Sequence, residues 1–153
     1  SVLGTATGAV AGLATITRGA GFVPPLAAIP IAVIAVLIGY YMILVRTKWR
    51  LDESLDVWAV HGLGGTWGII AVGIFASKLV NPAGANGLLS GNPMLVVKQL
   101  VGATVTWALA FGVTWLLAKL VSAVMGLRVK AEEEEVGLDI SQHGERAYGG
   151  LTR

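Results

Sequence analysis

Apolar residues fill four long stretches of this chain, at about 1–23, 24–45, 56–76 and 94–126, and polar residues gather between and after them. Within each stretch the apolar character goes all the way round a helix instead of forming one stripe, as expected of a segment surrounded by lipid and other helices. A bilayer core needs about 20 apolar residues in an α-helix, and in lipid a helix satisfies its own backbone. The pattern therefore predicts an all-α membrane protein: a transmembrane helix bundle of four spans over residues 1–126, with a soluble tail at 127–153. The last stretch exceeds the minimum, so it is expected to tilt or to project from the membrane.

Local signals sharpen the elements. Gly4, Gly8 and Gly12 recur every four residues in the first stretch, a small-residue stripe that favours close helix contact. Pro24 and Pro25 fit the first turn of the second. A charged loop at 46–54 precedes the third, and the turn-forming run Asn81-Pro-Ala-Gly-Ala-Asn-Gly follows it. Arg46, Lys48, Arg50, Arg128 and Lys130 fall on one side of the predicted membrane, against Arg18, Lys78 and Lys98 on the other. Five cations against three place the 46–54 loop and the C-terminus in the cytoplasm. The chain begins with Ser1 inside an apolar segment, with no charged region before it, so a fragment is expected rather than a signal peptide.

Composition agrees with the pattern. Of 153 residues, 55% are hydrophobic and 13% charged; mean hydropathy is +0.75. Soluble domains carry about 25% charged residues. The absence of cysteine excludes disulfides, thiolate metal sites and thiol nucleophiles. Scattered basic residues at segment ends argue against nucleic acid as a partner.

One ionisable residue stands inside an apolar span. His61 lies in Asp56-Val-Trp-Ala-Val-His-Gly-Leu-Gly-Gly-Thr-Trp-Gly, and intramembrane ionisable groups are costly, which marks them as functional candidates. On a regular helix Val57, Gly64, Gly65 and Gly68 share its face. Three of those four lack a side chain, leaving a strip that another helix or a narrow passage can occupy. His61 is accordingly either a pore residue or a membrane histidine bonded to a neighbouring helix. Asp56 is no dyad partner, because five residues leave the two side chains roughly 140° apart around the axis. It is expected in the first helical turn, supporting the unpaired N–H groups there, with Ser54 or Asp52 as cap. Trp49, Tyr40 and Tyr41 suit an interfacial belt. Trp58 and Trp67 suit packing.

Three stretches together resemble the ammonium transporter (Amt/Mep/Rh) family, most closely its prokaryotic Amt branch. They are Gly8-Ala-Val-Ala-Gly-Leu-Ala-Thr-Ile-Thr17, Leu55-Asp-Val-Trp-Ala-Val-His61-Gly-Leu-Gly-Gly65, and Gly137-Leu-Asp139 with His143-Gly-Glu-Arg-Ala-Tyr148. In this order they match helices eight to eleven of an eleven-helix protein plus its cytoplasmic tail, that is, the second half of an inverted repeat and the final helix.

The resemblance implies a multi-pass plasma-membrane protein, a homotrimer with a narrow hydrophobic pore in each subunit, carrying ammonium or ammonia with no cofactor, no metal and no enzymatic chemistry. His61 matches one of the family's two pore histidines; its partner lies upstream. Val57 is implied as pore lining, and Asp56, Gly64, Gly65 and Gly68 as support of the pore helix. The tail residues Gly137, Asp139, His143, Gly144, Glu145 and Tyr148 match a segment used for subunit contact and for docking a PII-type nitrogen regulator. Imidazole suits the pore because it both donates and accepts near neutral pH, whereas a bare cation in a low-dielectric passage costs tens of kcal/mol. Where many members read Ile-Thr-Pro, this chain has Ile16-Thr17-Arg18. A guanidinium about 10 Å from a cation through water opposes it by only about 0.4 kcal/mol. Two other classes remain open: an ammonium sensor signalling through the tail, and a haem protein using His61. The latter lacks a second membrane histidine.

Overall fold

The computed structural model describes residues 1–147, and every regular element among them is helical. Helix α1 is Val2–Ile16, α2 Ala28–Trp49, α3 Gly64–Phe75, α4 Met94–Val124, α5 Ala131–Val136 and α6 Leu138–Ser141. Three segments are long and apolar enough to cross a membrane: Pro25–Trp49, Trp58–Phe75 and Met94–Val124. The α1 helix has 15 residues and is followed by a single 3₁₀ turn, Thr17–Gly19. It stops short of the predicted Val23 because Gly21 turns the chain at φ +77°. Conversely, α2 runs past the apolar stretch to Trp49. Arg46 and Lys48 favour the negative end of a helix dipole, and the stop comes only at Arg50, which is left-handed at φ +53°.

Two compact units divide within α4, one of residues 1–107 and one of residues 108–153, whereas composition places the change of character at 126. In the first unit α1, α2 and α3 pack on one another. Small residues set the spacing: Gly12 of α1 faces Ala32 of α2, and Gly8 faces Val36. Val23, Ala27, Ile31 and Ala71 form the buried centre, edged by Ile16, Trp67 and Phe75. Trp67 Nε1–H donates to the Ile31 carbonyl at 3.0 Å, tying α3 to α2. The α3 span is the most enclosed of the three, with 39% of its most apolar window buried against 17% and 6%.

The connection from α3 to α4 is a tight, internally bonded loop. Ser77 N–H reaches the Phe22 carbonyl at 2.9 Å, Gly87 N–H returns to the Ala76 carbonyl at 2.8 Å, and Ser90 Oγ donates to the same carbonyl at 3.2 Å. A Cβ on Gly73 would stand 2.9 Å from Val96 Cα, so glycine there is what lets α4 start against α3.

In the second unit, α4 carries Lys119 with its ammonium 5.8 Å from the Trp115 ring centre. Beyond α4, Arg128 pairs with Glu134 at 2.9 and 3.2 Å. Both side chains are exposed enough for the pair to add little stability. Ser141 Oγ reaches the carbonyls of Glu133 at 3.1 Å and Gly137 at 2.9 Å, pinning α6 to α5.

A candidate pore histidine on a π turn

His61 does not sit in a regular α-helix. Residues Trp58–Leu63 form a π turn that leads directly into α3, and Gly64 N–H reaches back five residues to the Ala59 carbonyl. Such turns are rare and recur at functional sites. The widened turn changes the face assignment that a uniform 3.6-residue period predicts. His61 and Val57 are exposed on the surface of the chain, while Gly64, Gly65 and Gly68 are buried. The glycine strip is therefore not an open passage within this chain, because the end of α1 fills it. A Cβ on Gly64 would lie 3.0 Å from Thr15 Oγ1, one on Gly65 2.8 Å from the Arg18 guanidinium, and one on Gly68 would run into the Thr15 carbonyl oxygen.

Arg18 is thus a packing residue against α3 as well as a charge. Its Nη1 donates to the Ala14 carbonyl at 2.7 Å, and its head lies over Gly65. It also borders a half-open pocket of ≈ 370 Å³ with Phe22, Ile69, Leu95 and Gln99 among its walls. Thr15 is fully buried, and its hydroxyl has no partner in the structure.

The entry to the π turn is built differently from the sequence expectation. Asp56 lies outside the helix, left-handed at φ +54°. Its Oδ1 stands 3.0 Å from Arg46 Nε of α2, with both side chains about four-fifths buried. These two atoms make no aligned hydrogen bond, so the contact is one of charge on charge and each group depends on the other. The cap seen at Trp58 is Glu53, whose Oε1 accepts from Trp58 N–H at 2.6 Å, a residue between the expected Asp52 and Ser54. Arg46 Nη1 also donates to the Glu53 carbonyl. One cation thus holds both the capping residue and Asp56. A carboxylate just outside the helix reaching an arginine on the preceding helix is not legible from local spacing.

Past His61, Thr66 Oγ1 donates to the Gly62 carbonyl at 2.8 Å and accepts from Trp107 Nε1–H at 2.8 Å. The sequence assigns neither residue to the site: Trp107 reads as a residue of the last helix on the outside of the bundle, and Thr66 carries no motif of its own. A hydroxyl four residues after a glycine was the available signal, since threonine commonly bonds that carbonyl.

The tail residues come together locally. Gly137 and Gly144 take φ of +102° and +67°, which glycine adopts without strain. Asp139 holds the chain that follows: its carbonyl accepts from Glu145 N–H at 2.9 Å and its Oδ2 from Ala147 N–H at 3.0 Å. The Ala147 bond lowers the Asp139 pKa below the ordinary carboxylate value. His143 is exposed. Tyr148 lies outside the described residues. No cluster of three or more potential metal ligands occurs among the described residues.

An ionisable side chain on a π turn within an apolar span marks a functional candidate in a membrane protein, and comparison with known proteins specifies the family. The sequence profile of the Ammonium Transporter Family matches residues 1–148. Ammonium transporter Amt1 of Archaeoglobus fulgidus is 54% identical over 146 residues, covering 95% of this chain and 37% of that protein. The Bacillus subtilis ammonium transporter is 44% identical, covering 97% and 37%. Among solved structures, Saccharomyces cerevisiae Mep2 superposes with a TM-score of 0.79 at 32% identity, covering 96% of this chain and 35% of that one. Candida albicans Mep2 gives 0.79 at 28%, covering 87% and 30%. The chain belongs to the ammonium transporter family. It spans between 30% and 37% of the length of these relatives.

Proposed function

We propose that this chain contributes one wall of a pore that carries ammonium or ammonia across a plasma membrane, with His61 as one of two facing imidazoles. The observation that carries the reading is the placement of His61: on the most enclosed span, on a π turn, and exposed instead of sunk into the α1–α3 packing. That leaves the ring available to a second imidazole and to a substrate able to donate and accept. Val57, exposed at 48% one turn earlier, lines the same passage. Gly64, Gly65 and Gly68 support the pore helix by letting α1 close against it, and Asp56 supports it through Arg46.

The charge distribution supports a cytoplasmic tail, and Lys119 strengthens it. Lys98 and Lys119 lie roughly 21 residues apart on α4, about 31 Å along a helix axis, matching a hydrocarbon core of about 30 Å. Lys119 then joins Arg46, Lys48, Arg50, Arg128 and Lys130 on the inner side. On this reading the protein is no enzyme and needs no cofactor. It works as a homotrimer, as the motif resemblance implies, and the segment around Gly137, Asp139, His143, Gly144 and Glu145 is the surface for a neighbouring subunit or a PII-type regulator.

The test is ammonium-evoked current across a supported membrane with the intact protein and with His61→Ala. Loss of current, or of discrimination against potassium, supports the pore role. Equal current with unchanged discrimination reduces His61 to packing.

A further inference from the structure

We propose that Thr66 and Trp107 are positioning residues that hold the π turn and thereby aim His61; this rests on the pore reading above. A π turn is a poorer solution for the backbone than an α-helix and persists only where its surroundings specify it. If it relaxed to α, one residue of register would be lost, and the residues on one side would rotate by about 100° about the axis relative to the other. The direction of the imidazole is therefore a two-state property of this segment, and whatever fixes the turn fixes the ring.

Two side chains outside the turn grip it immediately after His61. The Thr66 hydroxyl spends its proton on the Gly62 carbonyl, at 2.8 Å, and accepts the Trp107 indole N–H at 2.8 Å. This donor–acceptor chain orients the hydroxyl and ties the Trp107 indole of α4 to the residue after the turn. The rings complete the grip: a Cβ on Gly62 would lie 3.7 Å from Trp58 Cδ1 and 3.9 Å from Trp107 Cη2, so both indoles pack over the residue beside His61. Upstream, Glu53 caps Trp58 and Asp56 is held by Arg46. Downstream, Trp67 Nε1 is anchored to Ile31 on α2. The π turn is thus fixed at its start by α2, and at its end by α2 and by Trp107 of α4. Neither Thr66 nor Trp107 is required to touch substrate for this role.

The test uses the intact protein reconstituted at a measured amount per vesicle, with Thr66→Val, Thr66→Ser, Trp107→Phe, His61→Ala and the double variant Thr66→Val/Trp107→Phe. Ammonium-evoked current, its pH profile and ammonium-to-potassium discrimination are read for each. Thr66→Val and Trp107→Phe are expected to lower discrimination roughly fivefold, the factor that one net hydrogen bond commands, and to shift the pH profile. Thr66→Ser should restore parental values, and the double variant should be no worse than the poorer single. Parental discrimination and pH profile in both single variants, with only thermal stability or yield reduced, would overturn the proposal and leave the two bonds as structural ties. His61→Ala separates the two levels. If it leaves discrimination unchanged, the pore reading itself fails. If it abolishes discrimination while Thr66→Val does not, only the positioning role fails.

Discussion

Replacing Gly68 by alanine probes how closely α1 and α3 are packed. The new methyl would be forced onto the Thr15 carbonyl oxygen, with the Thr15 carbonyl carbon at 3.3 Å and Arg18 Cδ at 3.2 Å. Two of these three neighbours are backbone atoms in the last turn of α1, which cannot swing aside, so the helices must separate. Overpacking of this kind costs about 1–3 kcal/mol, and the better helix propensity of alanine returns up to about 1 kcal/mol. A net destabilisation of about 1–2 kcal/mol is expected, read as a fall of a few degrees in apparent Tm of the intact protein in detergent. Gly65→Ala supplies the internal comparison. The three atoms nearest its methyl all belong to the Arg18 guanidinium, the first at 2.8 Å, which is the far end of a flexible side chain. Adding Arg18→Ala should therefore rescue Gly65→Ala almost fully and leave most of the Gly68→Ala defect in place. Equal rescue of both, or a Gly68→Ala protein as stable as the parent, would refute the backbone-contact reasoning.

Thr15→Val should hold or raise stability, by up to about 1–3 kcal/mol, because a fully buried hydroxyl without a partner gives way to a methyl of similar shape; a clear fall in denaturation midpoint would reveal a hydrogen bond to Oγ1. Asp56→Asn should cost about 2 kcal/mol, between surface and fully buried ion-pair values; Arg46→Met should cost more, since it also removes the bond to the Glu53 carbonyl, and the double variant should be little worse than Arg46→Met alone. Chemical denaturation of the single and double variants reads the coupling. In the tail, Asp139 is depressed in the folded state, so its contribution is fully present above the ordinary aspartate pKa of about 3.9 and is lost as pH falls through the lower folded value. NMR of the Ala147 amide should show the loop closed at neutral pH and opening only in acid below about pH 4; opening near pH 6 would assign control to a histidine instead.

Much of the architecture was legible in the order of residues because lipid simplifies the problem. An apolar run long enough to cross a bilayer must close its own hydrogen bonds, so the second, third and fourth stretches gave helices close to where the runs lie, at Pro25–Trp49, Trp58–Phe75 and Met94–Val124. Helix ends were less legible, because a run of apolar residues marks membrane and not helix: α1 stops early at glycine and α2 continues through its cations. His61 stood out for the same solvent reason, as an ionisable group where solvation is poor.

What tertiary structure alone decided is how that residue is presented. A uniform helical period places His61 on one face with Gly64, Gly65 and Gly68, but the π turn at Trp58–Leu63 separates them. Nothing in the local sequence specifies a π turn, because its cost is met by partners far along the chain: Arg46 acting on Asp56 and Glu53 at one end, Trp107 acting through Thr66 at the other. The glycines likewise announced that something would come close, and only the packed helices showed that it is Thr15 and Arg18 of the preceding segment. Solvent transfer acts residue by residue and can be read from a string; register and contact depend on which distant groups meet, and that is settled only when the helices pack.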